Sequence, residues 1–288
     1  MRSKLLGDKQ EQSAQTGAFA IQAGRDVNYH GLSVADVREL CALFLRNNFP
    51  QLQEEARRTA EQHVQEFALT LENKLINRAE SIVLDKFKDP DVQATINDAV
   101  QASARKGLRG NPQILGTLIA ERVALHTNDF KDVVLSEAVT VVPKLTSQQI
   151  SLLSLHHFVT AIRFNENVSL VEIEIFARLA LAATSPGFNL SLSQKQHIQY
   201  SSACALNHLI GGDVYDELRT KAYPHLGFTE TTALKAAIAT QAPAYAILLN
   251  QFNQENLFTI TLTSVGKAIA IANLSNYLGP LDYAIWLN

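Results

Sequence analysis

One apolar line at helical spacing constrains the fold of this chain more than any other feature. The line recurs every three or four residues between positions 52 and 83, and Glu, Gln, Arg and Lys fill the opposite face. Its members are Leu52, Ala56, Ala60, Val64, Phe67, Leu71, Leu75, Ala79, Ile82 and Val83. A helix of about 38 residues would be about 57 Å long. That length predicts a helical hairpin or an intersubunit bundle, in which Phe67, Leu71 and Leu75 would contact a second copy.

Helix start and stop signals surround this line. Ser33 is a good N-cap, and Asp36 can complete a capping box with it. We expect that helix to end before Pro50 and a second helix to begin there, because proline suits the first position of a helix.

Clear caps also divide the second half of the chain into helices. Thr146 with Gln149 and Ser169 with Glu172 are capping boxes, and the second one favours a helix over the strand-like alternation from Val171 to Ile175. Helices are expected at about 91–104, 112–126, 129–142, 147–163, 170–183, 193–210, 213–220, 230–251 and, after a Thr263 cap, 264–274. A β-branched run at 257–262 predicts a strand.

These elements predict a mainly α fold with long amphipathic helices. A short β unit would precede them, and the C-terminal helical domain would contain a small winged-helix-like β element. The segment Ala104–Pro112 contains two glycines, a proline and three cations, so we place a domain boundary there. The predicted regions are a polar tail and β unit at 1–31, a long-helix region at 32–105 and a C-terminal domain at 112–288.

The β unit lies at Phe19-Ala-Ile-Gln-Ala-Gly-Arg-Asp-Val-Asn-Tyr-His-Gly31. Alternate residues line one face, Gly24 permits a positive φ, and an Asx-type hydrogen bond from Asp26 would cap the turn beside Arg25. A two-stranded unit is marginal alone in water, so it must pack on something. We expect it to drive oligomerisation through Phe19, Ile21, Gly24, Arg25, Asp26, Val27 and Tyr29.

Composition excludes several classes of protein. Apolar residues make up 47% of the 288 residues and charged residues 18%, which is ample for a packed core. The net charge of −3 gives no global attraction for nucleic acid. We see no run apolar enough to span a membrane and no apolar stretch after Met1 that would suit a signal peptide. Cys41 and Cys204 lie far apart, so we expect free thiols and a cytoplasmic protein.

Two candidate groups could carry chemistry. Cys204 and His208 are spaced i,i+4, with His197 about two turns earlier, and could form part of a zinc site. A buried thiol beside a helical histidine is the favoured interpretation, since Cys-x-x-Cys is absent. The adjacent His156 and His157 point about 100° apart on a helix, so we expect one in the core and one exposed.

Other polar groups favour structural roles. Gly211-Gly-Asp213 suits a helix end followed by an N-cap, and it lacks the pattern of a phosphate loop. Glu172 and Glu174 have no obvious acid–base counterpart. The cations Arg105, Lys106 and Arg109 could contact nucleic acid or an acidic partner, although such a group is usually a solvated loop. We expect no metal or cofactor.

Two local patterns resemble known families. Gln22-Ala-Gly-Arg-Asp-Val-Asn28 resembles one coil of the filamentous-haemagglutinin β-helix, which implies a strand–turn–strand that stacks on like units. With its Leu-Thr-x-x-Gly helix and C-terminal tryptophan, the whole chain is similar to an uncharacterised family of bacterial cytosolic proteins. That resemblance implies no established activity.

The segment Leu262-Thr-Ser-Val-Gly-Lys-Ala-Ile269 resembles the strand-to-helix closure of winged-helix domains. A recognition helix would then fall at about 245–252, which contains no Lys or Arg. Phosphate neutralisation supplies most non-specific DNA affinity, so DNA binding is disfavoured.

The sequence therefore favours a non-enzymatic, self-associating interaction or scaffold protein of the bacterial cytosol, with a role in phage defence as a hypothesis. Its partner would be a second copy, with another protein as a further possibility. The alternative is a winged-helix DNA-binding regulator. A third hypothesis is an enzyme whose site assembles from scattered residues such as His156, Glu172 and Cys204.

Overall fold

The computed structural model describes residues 34–125, 128–164, 168–207 and 209–287, with side chains from residue 53 onward. The chain divides into two units, Met1–Glu55 and Ala56–Asn288. The predicted β unit at 19–29, the Ser33 cap and His208 lie outside the described residues. The rest confirms a mainly α-helical fold with a small two-stranded antiparallel sheet.

Helices make up most of the described chain. In chain order they are α1 (Val34–Ile76), α2 (Pro90–Lys106), α3 (Pro112–Arg122), α4 (Asp129–Val141), α5 (Ser147–Thr160), α6 (Leu170–Thr184), α7 (Leu192–Tyr200), α8 (Val214–Glu217), α9 (Thr231–Gln241), α10 (Pro243–Gln254) and α11 (Ser264–Leu278). Strands β1 (Cys204–Leu206) and β2 (Ile260–Leu262) pair antiparallel, with Cys204 opposite Leu262. Helix α11 lies at the centre of the second unit, where it packs against α3, α4, α5 and α6. None of the helices in the described ranges has the length and apolarity to span a membrane.

The first helix differs from the prediction at both Pro50 and its end. Helix α1 continues through Pro50, although a proline removes one backbone hydrogen bond. Good helix formers follow it in Leu52-Gln-Glu-Glu-Ala56, which explains why the helix resumes without a break. The predicted length of about 38 residues would have carried the helix from Pro50 to near residue 89, but it ends at Ile76. It ends there because Ile82 forms a β-bridge with Ala124 and the N–H of Val83 donates to the Val123 carbonyl.

The predicted caps of the second unit are confirmed. Thr146 and Ser169 each form a complete capping box, with Gln149 and Glu172 respectively. Asp213 accepts from the N–H of Tyr215, and Thr263 accepts from the N–H of Gly266. These interactions span two or three residues, so local sequence determines them.

Two helix predictions were wrong in the segments around the small sheet. The helix predicted at 193–210 ends at Tyr200, because Ser202 adopts a φ of 64° and the chain then extends into β1. The helix predicted at 230–251 is two helices, since Ala242 is non-helical and Pro243 begins α10. The strand predicted at 257–262 is confirmed only at Ile260–Leu262, after a 3₁₀ turn.

The segment between α2 and α3 is a 3₁₀ turn, Gly107–Gly110, and both of its glycines are buried. Gly107 has a φ of 52°. A Cβ added at this position would lie only 2.6 Å from Nε2 of the His63 ring, so a larger residue would clash with His63. Helix α2 packs against α3 and α4 across this turn. The domain boundary placed at 105–112 stays a prediction.

Candidate interaction surface

Helix α6 has an apolar face on each side. Its inner residues Leu170, Ile173, Ala177, Ala180 and Ala183 are buried in the core. Its outer face also carries large apolar side chains, which is unusual for a surface helix of a soluble domain. The exposed fractions are 59% for Val171, 59% for Ile175, 41% for Phe176 and 44% for Leu179.

A buried carboxylate fixes how this face is oriented. Glu174 of α6 accepts from the backbone N–H of Ala244, at 2.9 Å, and of Tyr245, at 3.3 Å, in the first turn of α10. The residue at the N-cap position of α10, Ala242, offers no side-chain acceptor. The Arg178 guanidinium donates to Glu174 at 2.8 Å and compensates its charge. Glu174 thus ties α6 to α10, while the buried residues of α6 turn toward the core and Val171, Ile175, Phe176 and Leu179 lie on its exposed side.

Two further contacts hold the edges of the surface. The ring centroids of Phe164 and Phe176 lie 5.1 Å apart, so Phe176 is anchored on one side by an aromatic neighbour. At the start of α6, the Glu172 carboxylate accepts from both the N–H and the hydroxyl of Ser169. The hydrogen bond from the Ser169 backbone lowers the pKa of Glu172 below its usual value. This ionised cap keeps the first turn of α6 helical beneath Val171.

We call the residues Val171, Ile175, Phe176 and Leu179 the α6 outer face. They offer no nucleophile, acid–base pair or metal ligand, so this surface suits binding and not catalysis. This face was not among the sites predicted from the sequence. The signal was present, because α6 is apolar on both sides of its helical wheel and a helix of that kind packs against something on each side.

The apolar stripe predicted on α1 packs partly into the core of its own chain. Phe67 is 1% exposed and belongs to the core of the second unit. Leu71 is half-buried against that core, and Leu75 is half-buried. Phe67 therefore packs within its own chain, and contact of the stripe with a second copy stays a prediction. The part of the stripe after Ile76 leaves the helix altogether.

The adjacent histidines were predicted to be one buried and one exposed, and both are buried. His156 Nε2 lies 2.8 Å from the Ile260 carbonyl, and His157 packs edge-on against Trp286 with ring centroids 5.2 Å apart. Burial lowers the pKa of His156 to about 4 and that of His157 to about 3. A packed strand and the C-terminal segment cover both sides of α5 here, which a single-helix argument could not anticipate.

The possible zinc ligands do not share a helix. Cys204 lies in β1 and is 3% exposed, and burial raises the pKa of its thiol to about 11. His197, on α7, contacts the Gln149 side-chain amide at 3.1 Å. Within the described ranges, no group of three or more His, Cys, Asp or Glu side chains could hold a metal ion. His156 and Glu172 form intramolecular hydrogen bonds, and the Cys204 thiol is buried. The hypothesis of an enzyme site built from these three side chains stays a prediction.

The segment that would serve as a recognition helix is α10, and it lies in the core. Its residues Tyr245, Leu248, Leu249 and Phe252 are buried. A helix inside the core cannot enter a DNA groove, so the local winged-helix resemblance does not extend to the surface that would read DNA.

The cations of the 105–109 segment lie at the end of α2 and in the following turn. Arg105, Lys106 and Arg109 are exposed, and Lys144 lines the same cavity from the segment before α5. The proximity of Lys144 to the other three cations was not predicted, because it depends on how separate segments pack together.

The structure defines a mainly α-helical fold with a small two-stranded antiparallel sheet. The chain belongs to an uncharacterised protein family, whose model matches residues 31–242 and 225–287. No curated protein and no solved structure matches the chain significantly.

Proposed function

We propose that this chain is a non-enzymatic interaction protein that self-associates through the α6 outer face. One observation carries the proposal: large apolar side chains stand exposed on a helix whose other face is anchored in the core. Removing apolar surface from water stabilises an interface by about 25 cal/mol per Å². Contiguous exposed apolar surface commonly marks a binding site.

The pattern of this face favours a second copy as the occupant. Val171 and Leu179 lie four residues on either side of Ile175. In an antiparallel pair of α6 helices related by a two-fold axis at Ile175, Val171 would therefore meet Leu179 and Ile175 would meet its own copy. Such self-complementarity is what an isologous dimer interface requires.

Light scattering of the full chain and of an Ile175→Asp variant tests the proposal. We expect the wild-type chain to have the mass of a discrete oligomer, and the variant to dissociate at least about tenfold more readily, since each subunit would bring a charge into an apolar interface. Leu192→Asp is the matched control. Leu192 is 57% exposed, close to the 59% of Ile175, but it lies at the first position of α7, where an acidic residue is tolerated.

A chain that starts at Gly31 separates the contribution of the β unit from that of α6. If the truncated chain dissociates and Ile175→Asp does not, the β unit assembles the protein and the proposed role of α6 is wrong. A wild-type chain that is monomeric at all concentrations would contradict self-association by either route.

The DNA-binding alternative is weaker. Helix α10 is buried and contains no Lys or Arg, so phosphate contacts would have to come from elsewhere. Phage defence as the cellular setting rests on the sequence resemblance alone. Phage plating on cells with the wild-type chain, the Ile175→Asp variant or an empty vector tests it, and equal plaque numbers would remove that setting.

A further inference from the structure

A basic cavity lies away from the α6 outer face. It has a volume of about 530 Å³ and is lined by four cations, Arg105, Lys106, Arg109 and Lys144, together with Thr146 and Ser147 at the start of α5. A neighbouring cavity of about 330 Å³ shares three of these cations and adds one carboxylate, Asp98. The chain as a whole has a net charge of −3, so this positive surface is a local feature.

Hydrogen bonds hold the two basic segments side by side. The Lys106 ammonium donates to the carbonyl of Pro143, which joins the end of α2 to the segment that carries Lys144. Asn111 bridges the same two segments, because its Nδ2 donates to the Leu145 carbonyl at 3.4 Å and its Oδ1 accepts from the Ser147 hydroxyl at 2.9 Å. The cations therefore converge through fixed backbone and not through chance side-chain positions.

Three of the four cations form no ion pair with the described part of the chain. In the residues that the structure describes, no ion pair involves Arg105, Arg109 or Lys144. Arg105 and Lys106 occupy the last turn of α2, where the negative end of the helix dipole stabilises positive charge. The dipole does not account for Arg109 or Lys144, which come from other segments. Four cations beside a single carboxylate, Asp98, leave an excess of positive charge that points to an anion from outside.

We propose that this cavity binds a small polyphosphate-bearing ligand. Arginine guanidinium groups bind phosphate oxygens through paired hydrogen bonds, and lysines supply further positive charge. The N-terminus of α5 lies at the same cavity and favours negative charge there. The volume falls within the range of small-ligand pockets, whereas a nucleic acid needs a longer basic track.

Calorimetric titration with inorganic tripolyphosphate tests the assignment on the full chain at about 0.1 M ionic strength. We expect saturable binding of one tripolyphosphate per chain. Arg109→Gln combined with Lys144→Gln should weaken it by about tenfold or more, because two charge-assisted contacts are lost. These positions are exposed and outside the last turn of α2, so the variant should keep the wild-type unfolding temperature.

Lys221→Gln is the matched control, since Lys221 is 77% exposed and is not in the cavity. Lys144→Arg should retain binding. Absence of saturable binding, or equal affinity in the double variant and the wild type, would overturn the proposal. Tighter binding of a short DNA duplex than of tripolyphosphate would overturn the small-ligand assignment. None of these outcomes depends on the oligomeric state.

Discussion

A single missing side chain sets the distance between α11 and the small sheet. A Cβ on Gly266 would lie 1.8 Å from the carbonyl oxygen of Ala203. Around it, the Thr263 hydroxyl donates to the Ser202 carbonyl at 2.7 Å, and the Thr263 N–H donates to the Ala203 carbonyl at 3.2 Å. The first turn of α11 therefore rests directly on the backbone that leads into β1, which gives the Leu-Thr-x-x-Gly pattern a structural reason.

We expect Gly266→Ala to lower the free energy of unfolding by about 3 kcal/mol, because the added methyl meets backbone that cannot move aside. Urea unfolding followed by circular dichroism measures the change. Gly211→Ala is the control, since no atom of the residues that the structure describes lies within 4 Å of its Cβ position. Similar stabilities for the two variants would contradict the close approach at Gly266.

The buried histidines make stability depend on pH. Their pKa values in the folded chain, about 4 for His156 and about 3 for His157, lie below the unfolded value of about 6.5. The unfolded chain therefore takes up protons first as the pH falls. We expect the stability present above about pH 6.5 to decline toward pH 4 by about 1.4 kcal/mol per pH unit for each histidine.

Unfolding free energies at pH 7 and pH 5 for the wild type and His157→Gln measure this dependence. Between pH 7 and pH 5 the unfolding free energy of the variant should fall by less than that of the wild type, and the difference should equal the contribution of one histidine. This difference does not depend on the absolute stability of the variant. His225→Gln, at an exposed position, should keep the wild-type decline. A wild-type decline in His157→Gln would show that His157 is not responsible.

At the scale of elements, a buried charge cluster joins α3, α4 and the segment after α1. Glu121 accepts from Arg78 at 2.6 Å and from Lys131 at 2.6 Å, and it is 5% exposed. The Lys131 ammonium also lies 5.7 Å from the centre of the Tyr283 ring, so the C-terminal segment contacts the cluster. One buried carboxylate thus pairs with buried Lys131 and with partly exposed Arg78.

We expect Glu121→Gln to lower the free energy of unfolding by about 3–5 kcal/mol, because it removes the charge of a buried carboxylate that pairs with both Arg78 and Lys131. Glu217→Gln is the matched control. Glu217 forms a surface pair with Lys221 at 3.7 Å, and its loss should cost less than about 1 kcal/mol. Thermal and urea unfolding compare the two, and equal losses would argue against a special role for Glu121.

The elements that sequence analysis predicted well are those whose signals are local. Capping boxes at Thr146 and Ser169 correctly marked the starts of α5 and α6. Strand β1 was missed because its partner, β2, lies more than fifty residues later and supplies the pairing that Cys204–Leu206 lacks alone. The burial of both adjacent histidines was missed for the same reason, since β2 and Trp286 cover them.

At the scale of the whole molecule, composition and local pattern predicted the fold class but not the surfaces. The mainly α architecture follows from periodicity. The α6 outer face depends on which side of α6 Glu174 anchors, and the basic cavity depends on Lys144 lying beside the end of α2. Both surfaces are products of tertiary packing, and a net charge of −3 conceals the second of them.

The contact between Glu174 and α10 bears on the order in which the chain folds. The cap of α10 comes from a residue seventy positions earlier in the chain. Until α6 has docked, the first turn of α10 has no side-chain acceptor and frays. The first turn of α10 therefore cannot become complete during synthesis ahead of that docking. Slow amide hydrogen exchange at Ala244 and Tyr245 would then report the arrival of α6 and not the formation of α10 itself.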